Sequence, residues 1–112
     1  NCDQDLMERI AQDDMIRSVT IAAGGFYGPQ GRALRIPLAD PEQNAKIESF
    51  RHGKYCITNY EMESSALAGL ARLMGHRATT VCMVIANRYA QEMNTEYKNT
   101  LEQLIEKVLD RI

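Results

Sequence analysis

Several things are scarce or missing from this 112-residue sequence, and each absence narrows what the protein can be. No apolar run approaches the roughly 20 residues needed to cross a bilayer, and no basic, then apolar, then small-residue leader opens the chain. A membrane partner is therefore not expected. Its 13 Lys and Arg residues are scattered among 15 Asp and Glu without a basic run, so nothing favours polymeric nucleic acid or an anionic surface. Cys2, Cys56 and Cys82 are odd in number and widely spaced. They form neither a Cys-x-x-Cys metal pattern nor the framework of a small secreted domain, and they fit a reducing, cytoplasmic setting. There is no G-x-G-x-x-G and no P-loop. Ser64-Ser65 has no His near it in sequence, so a hydrolase triad has no support. His52 and His76 lie far apart, each beside an expected helix end, where a dipole partner or surface residue is the simpler reading than a metal ligand. The sequence also lacks an initiator Met and opens at Asn1-Cys2-Asp3, so its first residue need not be the first residue of the protein.

What is present has the composition of a folded domain: 45% apolar and 25% charged residues, seven Gly and three Pro. Asp3 suits the cap of a first helix with Leu6 and Ile10 on one face, and residues 15–23 then read as a strand. The Gly- and Pro-rich run Gly24-Gly25-Phe26-Tyr27-Gly28-Pro29-Gln30-Gly31-Arg32 must be a loop leaving that strand. Residues 33–38 suggest a weaker extended segment. Asp40, Pro41 and Gln43 then resemble an N-cap, a first helical position and a reciprocal capping partner, for a helix reaching about His52 and stopped by Gly53. Tyr55 to Tyr60 reads as a strand. Ser64 to Met74 reads as a helix with Ala66, Leu67, Leu70, Ala71 and Met74 on one face, ended by Gly75. Residues 79–86, Thr-Thr-Val-Cys-Met-Val-Ile-Ala, lack polar alternation and read as a core strand covered on both faces. A last helix over 95–111 carries a stripe of Tyr97, Leu101, Leu104, Ile105, Val108 and Leu109. Strands alternating with helices imply an α/β layer architecture, with only about three strands to make its sheet.

Ligands of open α/β sheets sit beyond the C-terminal ends of strands, and three polar clusters fall at such ends. In the first, Phe26, Gln30 and Arg32 could stack on a planar ligand and hydrogen-bond its edge. Composition alone favours the plainer reading, a turn with a packed Phe26 and a solvated Arg32. In the second, Glu61 and Glu63 are two residues apart, so on extended backbone their carboxylates point to one side and could accept from vicinal hydroxyls; Glu near a helix start also simply suits the helix dipole. The third is Asn87-Arg88, where a surface ion pair is the ordinary alternative.

These segments, in this order, are where the chain resembles the uridine phosphorylase branch of the nucleoside phosphorylase family: Gly25-Phe26-Tyr27-Gly28-Pro29-Gln30-Gly31-Arg32, Asn59-Tyr60-Glu61-Met62-Glu63-Ser64-Ser65-Ala66-Leu67 and Val84-Ile85-Ala86-Asn87-Arg88. With the spacing between them, the likeness covers almost the whole chain. It implies the C-terminal portion of a three-layer α/β fold with an incomplete mixed sheet, residues 1–112 being part of one domain whose N-terminal, phosphate-binding half is absent. By the same resemblance, Phe26, Gln30, Arg32, Ile85, Ala86 and Arg88 would border and hydrogen-bond the base. Glu61, Met62 and Glu63 would hold the ribose, with Arg32 and Glu63 acting in catalysis.

The implied reaction is that of a pentosyltransferase of pyrimidine salvage: phosphate as co-substrate attacks the anomeric carbon of uridine, giving ribose 1-phosphate and uracil, with no further cofactor. The family's phosphate-binding arginines have no matching positions here, so the isolated chain is expected to be inactive. An incomplete sheet predicts association through apolar surface, as a homo-oligomer or with the missing half. The purine-specific branch and its nucleosidases usually place a Ser-Asp pair where this chain has Ala86-Asn87. A noncatalytic nucleoside-binding module is the remaining alternative.

Overall fold

The computed structural model describes residues 2–88 and 90–112. Helix α1, Gln4–Ile10, begins where expected: Asp3 has extended backbone, and its Oδ1 accepts from Leu6 N at 2.8 Å. Ile10, on its inner face, is 2% exposed. Strand β1 is Val19–Ala22, shorter than the expected 15–23. The guanidinium of Arg17 donates through Nε and Nη2 to Ala11 O, which folds the intervening residues into a turn and leaves Ile16 exposed.

Residues 33–38 form no strand, against the expectation, because no sheet edge meets them. Helix α2 is Gln43–Ser49, also shorter than expected. Asp40 is not its cap: Oδ1 accepts from Glu42 N and Oδ2 binds Lys46 Nζ at 2.7 Å, and Glu42, at the cap position, makes no side-chain capping bond. The chain turns extended at Phe50, so Arg51–His52 becomes strand β2, paired antiparallel with β3, Tyr55–Glu61. Gly53, at φ +59, begins the two-residue turn between them instead of ending a helix. That is the place where a hairpin turn of type II′ wants glycine.

Strand β1 lies parallel to β3, with Ala22 opposite Glu61, and the three strands run β1-β3-β2 as a mixed sheet. Thr20 Oγ1 donates to Asn59 Oδ1 at 2.9 Å across the β1–β3 pair. Helix α3, Ser64–Leu73, ends as expected at Gly75, φ +75. His76 N donates to Ala71 O and Gly75 N to Arg72 O, the two bonds of a Schellman motif.

Of the core strand expected over 79–86, residues 79–85 join no ladder. Their start is tied by Asp3 N to Ala78 O at 2.8 Å, but the covering on both faces that their apolar pattern leads one to expect is not there either: none of them is buried and Val84 is 58% exposed, because no neighbouring strand among the described residues pairs with them. Only Ala86–Asn87, β4, is paired, with β5, Glu92–Met93, in a short hairpin that the sequence reading did not anticipate. Helix α4, Tyr97–Leu109, lies within the expected 95–111. Leu104 and Val108 are half-buried beside Leu6 and Ile10 of α1, and Asp14 joins Arg111 and Lys107, each at 2.8 Å, at the far end of α4.

The chain exposes 8815 Å², whereas a compact monomer of its mass would expose about 6,200 Å². Its radius of gyration is 15.5 Å against about 13 Å for a compact domain of this length. Leu67, Leu70 and Leu73 of α3, and Met74 at its C-cap, contribute to this surplus. Packing within the chain thus leaves much apolar surface uncovered. Among the described residues no helix is long and apolar enough to cross a membrane.

Candidate functional site

Parallel pairing of β1 with β3 brings two of the three polar clusters to one sheet edge. Ala23 N donates to Glu61 O at 2.9 Å, so the loop after β1 and the junction after β3 leave side by side. The loop tightens into a 3-10 turn, Gly28–Gln30, through Gln30 N and Arg32 N to Tyr27 O, both 3.0 Å, and Gly31 N to Gly28 O, 2.8 Å.

Gln30 is only 5% exposed and organises the cluster. Its Oε1 accepts from Arg32 Nη1 at 2.6 Å and from Arg88 Nη2 at 2.9 Å, while its backbone oxygen accepts from Arg88 Nη1. Guanidinium groups only donate, so this pairing fixes which end of the amide faces them. Arg32 also donates to Phe26 O and lies 3.8 Å from the centre of the Phe26 ring. Arg88 lies 4.7 Å from the centre of the Tyr60 ring. Burial pushes the Arg88 guanidinium below its ordinary value and the like charge of Arg32 adds to this, yet an arginine so placed stays charged at neutral pH. The Tyr60 hydroxyl is buried with no hydrogen-bond partner among the described residues.

At the second cluster the two carboxylates part company. Glu61 Oε2 accepts from Glu63 N at 2.7 Å and Ser64 N at 2.6 Å, and Oε1 accepts from Ser64 Oγ. Burial raises the Glu61 carboxyl, but the bonds from Ser64 and from the backbone N–H groups outweigh it and hold the group below the usual range. Glu63 has φ −124 and ψ −21 at the cap of α3, so the extended backbone that would align the pair stops before it. Its carboxylate has no partner among the described residues, and the side chain is exposed.

The family model described as the phosphorylase superfamily matches residues 1–112. The chain belongs to this superfamily. Uridine phosphorylase A of Schistosoma mansoni is 40% identical over 72 residues, 62% of this chain and 23% of that protein. Uridine phosphorylase of Thermococcus kodakarensis is 34% identical over 74 residues, 66% of this chain and 26% of that protein. The inactive uridine phosphorylase B of Schistosoma mansoni is 38% identical over 72 residues, again 62% and 23%. The matched stretch is thus about a quarter of each relative's length. No solved structure gives a significant match.

Of the residues singled out from the sequence, this superfamily member brings Phe26, Gln30, Arg32 and Arg88 into one bonded group. Ile85 and Ala86 are exposed, the one just before β4 and the other in it, on the way to Arg88, and Asn94 N binds Ile85 O at 2.8 Å. Met62 and Glu63 are exposed at the start of α3, and Glu61 is bound into that start. Tyr60 lies within the stretch that carries the resemblance, which gives it no role; its signal is an aromatic beside Glu61 in β3, and only the fold puts Arg88 over its ring. A wide cleft of about 930 Å³ borders Arg32 on its outer side, between Pro29 and residues 34–39, but does not include Gln30, Arg88 or Glu63. Among the described residues no three His, Cys, Asp or Glu side chains gather as metal ligands.

Proposed function

We propose that this chain forms the nucleoside-binding portion of a uridine phosphorylase, in which phosphate displaces uracil from uridine and leaves ribose 1-phosphate. The observation that carries this reading is the sharing of Gln30 Oε1 by Arg32 and Arg88 at the edge where Glu63 also stands. Because Oε1 is held by two cations, the amide's Nε2 is its donor for a pyrimidine carbonyl. Arg32 keeps N–H groups beyond those on Phe26 and Gln30. A uracil leaving with negative charge would meet two guanidinium groups in a partly dry site, where such charges act most strongly. Glu63 is the carboxylate left to accept from ribose hydroxyls beside the cation-like anomeric centre. Glu61, committed to α3, serves the ribose by fixing where Glu63 stands, while Phe26, Met62, Ile85 and Ala86 supply apolar walls. Arg32 and Glu63 are the catalytic pair of this reading.

The phosphate-binding groups lie outside these residues in this reading, and the exposed faces of α3 and α4 are where the chain associates with further protein. Three free thiols agree with a reducing, cytoplasmic setting. A second reading, a noncatalytic uridine-binding protein, is favoured by one fact. The relative named inactive is 38% identical and the one without that word 40%, so likeness in this stretch does not separate the two outcomes.

The test is a uridine assay on the full-length protein, with and without phosphate. Uracil release that requires phosphate is the expected result. Binding without release would put the second reading in its place, and no binding would remove both. The 112-residue chain alone should show no turnover, and phosphate-dependent cleavage by it would contradict the placement of the phosphate groups elsewhere.

A further inference from the structure

Three successive carbonyls of the turn that carries Gln30 each accept from a different side chain. Pro29 O takes Gln43 Nε2 at 3.1 Å, Gln30 O takes Arg88 Nη1, and Gly31 O takes Asn44 Nδ2 at 2.9 Å. Gln43 and Asn44 are the first two residues of α2, an element outside the cluster described above. The approach is close. Gly31 has φ +71, and a Cβ there would stand 1.8 Å from Asn44 Oδ1. Glycine is therefore needed at 31 both for its left-handed backbone and for the side chain pressed against it.

Asn44 is exposed, and a helix start offers asparagine no packing that would hold its amide in one direction. Its donor is nonetheless spent on a neighbouring turn. We infer that Asn44, assisted by Gln43, is a positioning residue: α2 clamps the turn on either side of Gln30 and so sets the direction in which Gln30 presents its amide to the base edge. This rests on the nucleoside reading for its consequence but not for its geometry. Arg88 holds Gln30 from the ligand side, and α2 holds the backbone from behind.

Asn44→Asp tests this with little change of volume. It replaces the donor with an acceptor facing Gly31 O, while an acidic residue in the first turn suits the helix dipole, so α2 itself is not weakened. In the full-length protein the KM for uridine should rise about 3- to 10-fold, the range for losing one hydrogen bond. The kcat should stay within about twofold, since a misaimed recognition group mainly weakens binding. In a Gln30→Ala background the same substitution should add less than about 1.5-fold, because the group it aims is gone. An unchanged KM, or an equal penalty with and without Gln30, overturns the proposal. The side-chain amide resonance of Gln30 gives a readout independent of uridine. It should shift in Asn44→Asp while the circular dichroism stays constant; an unmoved resonance overturns the clamp even if the protein proves to ignore uridine.

Discussion

The turn at Pro29–Gly31 and the helix α3 are built on opposite terms. The turn satisfies itself: its carbonyls, the Gln30 amide and two guanidinium groups bind one another, with donors drawn from α2 and from the residue after β4. Helix α3 has a well-formed start and a Schellman end, yet Leu67, Leu70, Leu73 and Met74 remain exposed. Hydrogen bonds close over short range with few residues. Apolar faces need a second surface of matching area, and this chain does not supply one. Polar geometry at a turn can thus be closed where the apolar packing around it is not.

The largest effect should come from Gln30→Ala. The substitution removes the oxygen shared by Arg32 and Arg88 and leaves two like charges close together without it. Bonds to charged groups contribute about 1.5–3 kcal/mol; because Arg88 is partly in water, a loss of about 2 kcal/mol of stability is expected from urea unfolding. Uridine affinity should fall at least about tenfold. A stability change below about 0.5 kcal/mol would show that water replaces Gln30 freely, and the turn would then be no more self-sufficient than α3.

Glu61 ranks next, because it joins the two regions: it leaves β3 at the site edge and closes the first turn of α3. Glu61→Ala should cost about 1 kcal/mol, the usual loss for a helix cap. Its folded-state carboxyl is held below the ordinary value, so the cap is intact above the unfolded-state range and is lost as pH falls from there through the lowered folded-state value. Protection of the Glu63 and Ser64 amides from exchange, relative to their intrinsic rates and followed from about pH 6 to about pH 3, should fall on the acid side in the native protein and be low at every pH in Glu61→Ala. If both proteins behave alike, Glu61 does not cap α3 and is available to a ligand.

How much of this was legible in the sequence differs between the same two regions. Glycine and proline marked the loop after β1, and the Glu-Met-Glu junction marked the end of β3, so their shared edge could be expected from the residues, whereas a group of Phe26, Gln30, Arg32 and Arg88 was implied only by the family resemblance. The division between Glu61 and Glu63 could not, because it depends on where extended backbone stops, and one residue decides it. Gly53 misled for a related reason: a glycine at positive φ serves a helix end and a hairpin turn equally well. Residues 79–85 misled differently. Their pattern tells of two apolar faces and is silent about a neighbouring strand. The clamp from α2 had no sequence signal, since Gln43 reads as a capping partner, and Asn44 carries no mark at all, until the turn is seen beside them.

The smallest effect should be at Leu73, which is 84% exposed at the end of α3. Leu73→Ser in the 112-residue chain should change stability by no more than about 0.5 kcal/mol, because a side chain already in water has no burial to lose. The same change on a covered face would cost several times that. Repeating the unfolding over a range of protein concentrations turns this small number into a decision. A loss above about 1 kcal/mol that fades on dilution would mean that another copy covers α3, since only association makes stability depend on concentration. A loss of that size that persists at every concentration would mean that Leu73 packs within its own chain. In that case the contrast with the turn at Gln30 would fail at its apolar side, and the surplus surface would have to reside on α4 and residues 34–36.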